Sequence, residues 1–185
     1  MQHSRLIPAA VAASLIIASS LPARSAGASF EVPQSGVTFL TGDSWQQGSQ
    51  HLRVYGVQSC LRDTFYTDGS GQRQDCGTVS TALLAALVRD LKPTCKPVAQ
   101  VAAGPSQPTT SLVICTGKIG GSKLDLGATL ITQGFAFAAV DNNGHPVYLP
   151  YLIEEGIAQQ AHKGLWAFHD LPHPSQSLQS GRRMP

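Results

Sequence analysis

At 185 residues the chain is long enough for one domain with a proper core rather than two. Apolar residues are 42% and charged residues only 13%, the make-up of a lightly charged globular protein. With 13 Lys+Arg against 11 Asp+Glu and no basic cluster, nothing marks a surface built for a nucleic-acid backbone.

Residues 1–28 read as a signal peptide, to be set aside before the fold is considered. His3 and Arg5 give a weakly basic start, and Leu6 to Ile17 is almost wholly apolar yet short for a membrane span. Ala26-Gly27-Ala28 supplies small residues where a signal peptidase cuts, so the mature chain is expected to begin near Ser29. A retained membrane anchor is the rival reading. Loss of Arg5 and Arg24 leaves 11 basic against 11 acidic residues, and Arg182 and Arg183 lie in the C-terminal tail. An exported protein, periplasmic or extracellular, is the expectation.

Residues 29–36 form a leader, and Gly36 to Leu40 is a β-prone run. Thr41-Gly42-Asp43-Ser44 predicts a turn carrying one carboxylate, and Gln46 to Gln50 a polar turn around Gly48. Leu52 to Val57 alternates, with Leu52, Val54 and Gly56 on one face and Arg53, Tyr55 and Val57 on the other. Leu61 to Asp75 is polar and reads as a loop. Thr78 is placed as the N-cap of a first helix, with Val79, Ala82, Leu83, Ala86, Leu87 and Leu91 at helical spacing and Pro93 as its stop.

Thr94 to Val101 and Ser111 to Thr116 are strand candidates, joined by an uncharged loop with two prolines. Asp125 suits the N-cap of a second helix that Gly134 stops. A third helix follows Pro150, with Ile153, Ile157, Ala161 and Leu165 four apart and Gly164 as its C-cap; Glu154-Glu155 reads as a solvated face. Residues 169–185 read as a disordered tail. His51, His145, His162, His169 and His173 show no metal-ligand spacing.

Cys60, Cys76, Cys95 and Cys115 are an even set in a chain expected to be exported, which points to two disulfides with three pairings open. A four-thiolate zinc site competes, although no Cys-x-x-Cys pair occurs.

The order of elements and several residue strings resemble the staphylococcal nuclease-like family. The strings are Gly42-Asp43-Ser44, Leu52 to Val57, Cys76-Gly77, Asp125 to Ala128 with Leu130, Gln133-Gly134-Phe135-Ala136, and Gly164-Leu165-Trp166. The resemblance spans residues 37–168 and implies an α+β fold, a five-stranded OB-type Greek-key barrel with about three helices. It also implies the pairing Cys60–Cys76 and Cys95–Cys115.

In active members of that family two aspartates and a carbonyl hold Ca²⁺, a glutamate orients the attacking water, and two arginines clamp the developing charge. By resemblance Asp43 matches the first metal-binding aspartate and Arg53 the first clamp. Gln58 stands where the second metal carboxylate is expected, Leu61 where the catalytic glutamate is, and Thr110 where the second arginine is. Glutamates outside the leader lie only at 154 and 155, so relocation would have to use Asp63 or Asp68 as acid and Arg62 or Arg73 as clamp. The bland alternative makes Asp43 a turn residue and Arg53 its partner across the strand.

The resemblance therefore implies an exported nuclease-like protein that has lost phosphodiesterase activity and serves as a binding or accessory module without a cofactor. Its partner is as readily an oligosaccharide or a protein as a nucleic acid, and some exported relatives are associated with exopolysaccharide production of the succinoglycan type. A weak Ca²⁺-dependent endonuclease built on Asp43 and Arg53 is the alternative, and a purely structural envelope domain the third.

Overall fold

The structure, a computed structural model, describes residues 27–102, 104, 108–171 and 173–182. Of the segment read as a signal peptide, 1–28, residues 1–26 lie outside the described residues, as does Arg183.

The fold is mixed α+β. In chain order the strands are β1 (Phe30–Glu31), β2 (Val37–Thr41), β3 (Ser44–Gln47), β4 (Gln50–Val54), β5 (Val57–Ser59), β6 (Phe65–Thr67) and β7 (Arg73–Asp75). Helix α1 (Cys76–Leu91) leads to β8 (Thr94–Val101), β9 (Thr110–Ile119), β10 (Ser122–Asp125), α2 (Leu126–Thr132) and β11 (Ala136–Ala138). Helix α3 (Leu149–Gln160), a 3-10 turn (Gly164–Ala167) and α4 (Pro174–Arg182) complete the chain. Expectations of five strands and three helices are therefore corrected to eleven short strands and four α-helices among the described residues.

One curled sheet has the order β1-β8-β9-β4-β3-β2, with β10 also on β9. Its pairings are antiparallel except β4 with β9, which run parallel because α1 and β8 intervene as a crossover. Alternation along β3 and β4 decides which side faces the core. Trp45 and Leu52 are cross-strand partners and both are buried, whereas the pairs Ser44–Arg53 and Gln46–His51 occupy the other face. Helices α1 and α2 cover the buried face through Leu84, Val88, Leu91, Leu126, Leu130 and Ile131. A second cluster of Cys60, Tyr66, Cys76, Phe137 and Leu165 lies beneath Trp166 and Phe168.

Several local expectations change. The leader contributes β1, which pairs with Thr94 and Cys95 and is followed by buried Val32. The polar turn expected over Gln46 to Gln50 narrows to Gly48-Ser49, with Gln46 and Gln47 in β3 and Gln50 in β4, because the two strands supply each other's ladder bonds. Within Leu61 to Asp75 lies a small hairpin of β6 and β7, whose turn Asp68 organises by accepting from the backbone N–H groups of Ser70 and Gln72. The N-cap of α1 is Asp75, which accepts from the Thr78 N–H, so the helix begins earlier than Thr78 suggests.

In α3 the buried side chains are Tyr151, Glu155 and Ala158, while Ile153 and Ile157 are 59% and 61% exposed. The apolar spacing of four thus marks the outer side of the helix. Glu155 is buried because one oxygen accepts from the Ala138 N–H at 2.9 Å and the other meets His173 Nε2 at 2.6 Å. His173 also packs edge-on against Phe137. The segment expected as a disordered tail is anchored by that histidine and carries α4. The cap of α3 is Ala161; Gly164 begins the 3-10 turn instead.

Cys60 bonds Cys76 and Cys95 bonds Cys115. All four sulfurs are thereby committed, which excludes the zinc reading. Both bridges fit an oxidising, non-cytoplasmic compartment. Among the described residues no helix is long and apolar enough to cross a membrane.

Candidate functional site

The turn between β2 and β3 presents Asp43 to β4 and β5, and the residue is only 2% exposed. Burial of a carboxylate demands donors, and three elements provide them. From the end of β2 the Thr41 hydroxyl donates to Oδ1 at 2.5 Å. From β5 the Ser59 hydroxyl donates to Oδ1 at 3.2 Å and the Ser59 N–H to Oδ2 at 3.3 Å. From β4 the Arg53 guanidinium meets Oδ2 through Nε at 2.9 Å and Nη2 at 2.8 Å. Because Thr41 gives its single proton to Asp43, the Ser44 hydroxyl at 2.5 Å donates to Thr41 in turn.

Gln58 completes the group. Its Oε1 accepts from Arg53 Nη2 at 2.9 Å, and its Nε2 donates to the Ser59 carbonyl at 2.9 Å. A neutral amide oxygen thus occupies the place where the resemblance expects a second metal carboxylate, and it points at a cation of the protein itself.

Leu61 follows the Cys60–Cys76 bridge. Its carbonyl accepts from the Thr64 hydroxyl, and the backbone at Leu61 and Arg62 lies hard against Gly77 of α1, where an added Cβ would fall 2.7 Å from the Arg62 nitrogen. A hydrocarbon side chain there cannot take a proton from water or orient it. Thr110, at the start of β9, is the register partner of His51, two residues along from Leu112, which pairs with Arg53. It therefore shares the sheet face of Arg53 but brings a hydroxyl where a clamp would need a cation.

The residues considered for relocation are engaged elsewhere. Arg62 donates to the Leu40 carbonyl, and Arg73 lies over the Phe65 ring at 4.0 Å. Asp63 holds a left-handed backbone, φ 60°, with its N–H donated to Asp75. Asp68 accepts from Ser70, Gln72 and Gln74, and these bonds hold its carboxyl down at about 2. Among the remaining histidines His145 sits 3.6 Å from Asp141 and His173 pairs with Glu155. No group of three or more His, Cys, Asp or Glu residues able to hold a metal is found among the described residues.

Calcium fits this donor set poorly. The ion takes six to eight oxygens, and a carboxylate offers about four lone-pair positions. Here five N–H and O–H contacts from Thr41, Ser59 and Arg53 already converge on Asp43. What the geometry does provide is a bridge tying β2, β4 and β5 together, with Asp43 and Ser59 buried and Thr41, Arg53 and Gln58 partly exposed. Ser59 and Thr41 are the members that residue types alone did not single out; their only sequence signal is nearness to Gln58 and Asp43.

No protein-family model matches the chain, and no curated protein matches it.

Proposed function

We propose that the chain is an exported member of the staphylococcal nuclease-like family, an OB-type Greek-key barrel whose former catalytic corner has become a structural ion-pair network. Support for the fold assignment comes from the β2-β3-β4 meander and from the parallel pairing of β4 with β9 in the middle of the curled sheet, across a crossover that contains α1. The observation that carries the loss of activity is the Asp43 carboxylate, saturated by Thr41, Ser59 and Arg53. Leu61 and Thr110 add that the positions where the resemblance expects a base and a second clamp carry a hydrocarbon and a hydroxyl.

On this reading the protein acts as a binding or accessory module in the envelope or in exopolysaccharide production, not as a hydrolase. Its near-neutral charge leaves an oligosaccharide or a protein as ready a partner as a nucleic acid. Incubation of the purified protein with single-stranded DNA and RNA, in Ca²⁺ or in chelator, tests it. The expected result is no metal-dependent cleavage. Cleavage that needs Ca²⁺ and disappears in Asp43→Ala and Arg53→Ala supports the weak endonuclease instead.

A further inference from the structure

Helix α3 buries Tyr151, Glu155 and Ala158, and its opposite side carries Leu149, Leu152, Ile153, Gly156, Ile157 and Gln160. These positions follow one another at steps of three and four, which sets them in one row along the helix. Leu149 is 58% exposed, Leu152 42%, Ile153 59% and Ile157 61%. A row of this kind ordinarily faces the core of its own domain; here it faces outward.

Nothing charged stands on the row. Helix α3 contains no lysine or arginine, and both of its acids turn away, Glu155 into the core and Glu154 toward Asp125 of the neighbouring cleft. Such a face offers a charged partner nothing to pair with, and it does not repel a copy of itself. Gly156 lies in the middle of the row, where glycine is disfavoured relative to alanine. A Cβ added there would meet nothing within 4 Å, so packing within the chain does not call for a glycine. Its bare backbone does allow a second helix to approach closely.

We infer that a second copy of the chain covers this face, the two α3 helices crossing antiparallel about a two-fold axis between Ile153 and Gly156. Ile153 of each copy then lies over Gly156 of the other, and Leu149 lies opposite Gln160. The contact is isologous, the commonest way for identical chains to associate. The four aliphatic exposures amount to about 400 Å² per copy, so a pair buries about 800 Å² through them and about 1,000 Å² with flanking atoms, the size of a weak, reversible interface. A lipid surface suits the row less well. Helices that lie in a bilayer interface carry Lys and Arg on their polar side, and that side of α3 is inside the protein.

Sedimentation velocity of the purified protein from about 1 to 300 μM tests this, with a passage from monomer to dimer mass and a Kd on the order of 10–100 μM expected. Ile153→Glu brings two carboxylates together across the axis and is expected to weaken association about ten-fold or more, with the circular dichroism spectrum and the urea midpoint of the monomer kept. Gly156→Gln fills the crossing point. It is expected to weaken association about ten-fold or more while raising the monomer's urea midpoint, since glutamine suits a helix better than glycine. Ile119→Glu, an exposed position at the end of β9, is expected to leave association unchanged. Monomer mass throughout, association unchanged in Ile153→Glu or in Gly156→Gln, or equal loss in Ile119→Glu would overturn the inference. A monomeric parent that cosediments with vesicles of phosphatidylcholine and phosphatidylglycerol, and ceases to do so in Ile153→Glu, would overturn it in favour of a lipid surface.

Discussion

Two nitrogens of Arg53, Nε and Nη2, converge on a single oxygen of Asp43, Oδ2, at 2.9 and 2.8 Å. The other oxygen of that carboxylate is held by Thr41 and Ser59. A phosphate-clamping arginine must have its donors free to meet the substrate, and a metal-binding aspartate must have lone pairs to give. Here the carboxylate is saturated, and Arg53 commits Nε and Nη2 to it.

If the corner descends from a nuclease site, it should regain function when the missing groups return. The triple change Gln58→Asp, Leu61→Glu and Thr110→Arg supplies a second carboxylate, a base and a clamp. Ca²⁺-dependent cleavage of single-stranded DNA at least about 100-fold above the parent is the expected outcome, the usual scale of a positioned general base. A stably folded triple variant with no cleavage argues that the scaffold no longer holds these positions together.

The Cys60–Cys76 bridge spans 16 residues and fastens the segment preceding Leu61 to the start of α1. Replacing both cysteines with serine should lower unfolding stability by about 3 kcal/mol, read from urea denaturation. Peptide mapping without reduction should return Cys60 with Cys76 and Cys95 with Cys115; Cys60 joined to Cys115 would refute the connectivity.

Gly77→Ala probes the same segment from the helix side. The new methyl would meet backbone atoms of Leu61 and Arg62 at 2.9 Å or less, which no side-chain rotation relieves. A loss of about 1–3 kcal/mol is expected, the range for forced overpacking. A neutral effect in urea denaturation would mean that the loop does not press on α1.

The hairpin between β6 and β7 should be acid-sensitive through Asp68. Donors from Ser70, Gln72 and Gln74 lower its carboxyl from 3.8 to about 2 in the folded chain. A depressed folded value means that the stabilisation is complete above the unfolded value and is lost as pH falls through about 2. NMR titration of the Asp68 carboxyl should place its midpoint well below that of an unstructured aspartate, and Asp68→Asn should remove this acid dependence.

Much of the fold was legible because it depends on local rules. Alternation put Leu52 and Val54 inside, although the run expected to continue to Val57 ends at Val54, and Val57, placed on the face of Arg53, is buried at the start of β5; Asp125 and Gly134 bracketed α2, and the structure contains the cysteine pairing that the resemblance implies. What escaped depends on partners distant in sequence. Glu155 looks solvent-facing until Ala138 and His173 arrive to satisfy it, and Ile153 and Ile157 look buried until α3 turns its Tyr151 side inward. At the candidate site Asp43 and Arg53 could be named from their strings, but not that Ser59 would close the remaining side of the carboxylate.

The measurement that bears most directly on a structural role for Asp43 and Arg53 is a double-mutant cycle in urea denaturation, using Asp43→Ala, Arg53→Ala and the double variant. Because the guanidinium side chain is 38% exposed, solvent screens the pair and the full cost of a buried ion pair does not apply. A coupling energy of about 1–2 kcal/mol is expected, with Asp43→Ala the costlier single change because it strands Ser59 and Thr41 as well. A coupling indistinguishable from zero would contradict the account, since Arg53 would then stand free of Asp43 and available to a phosphate.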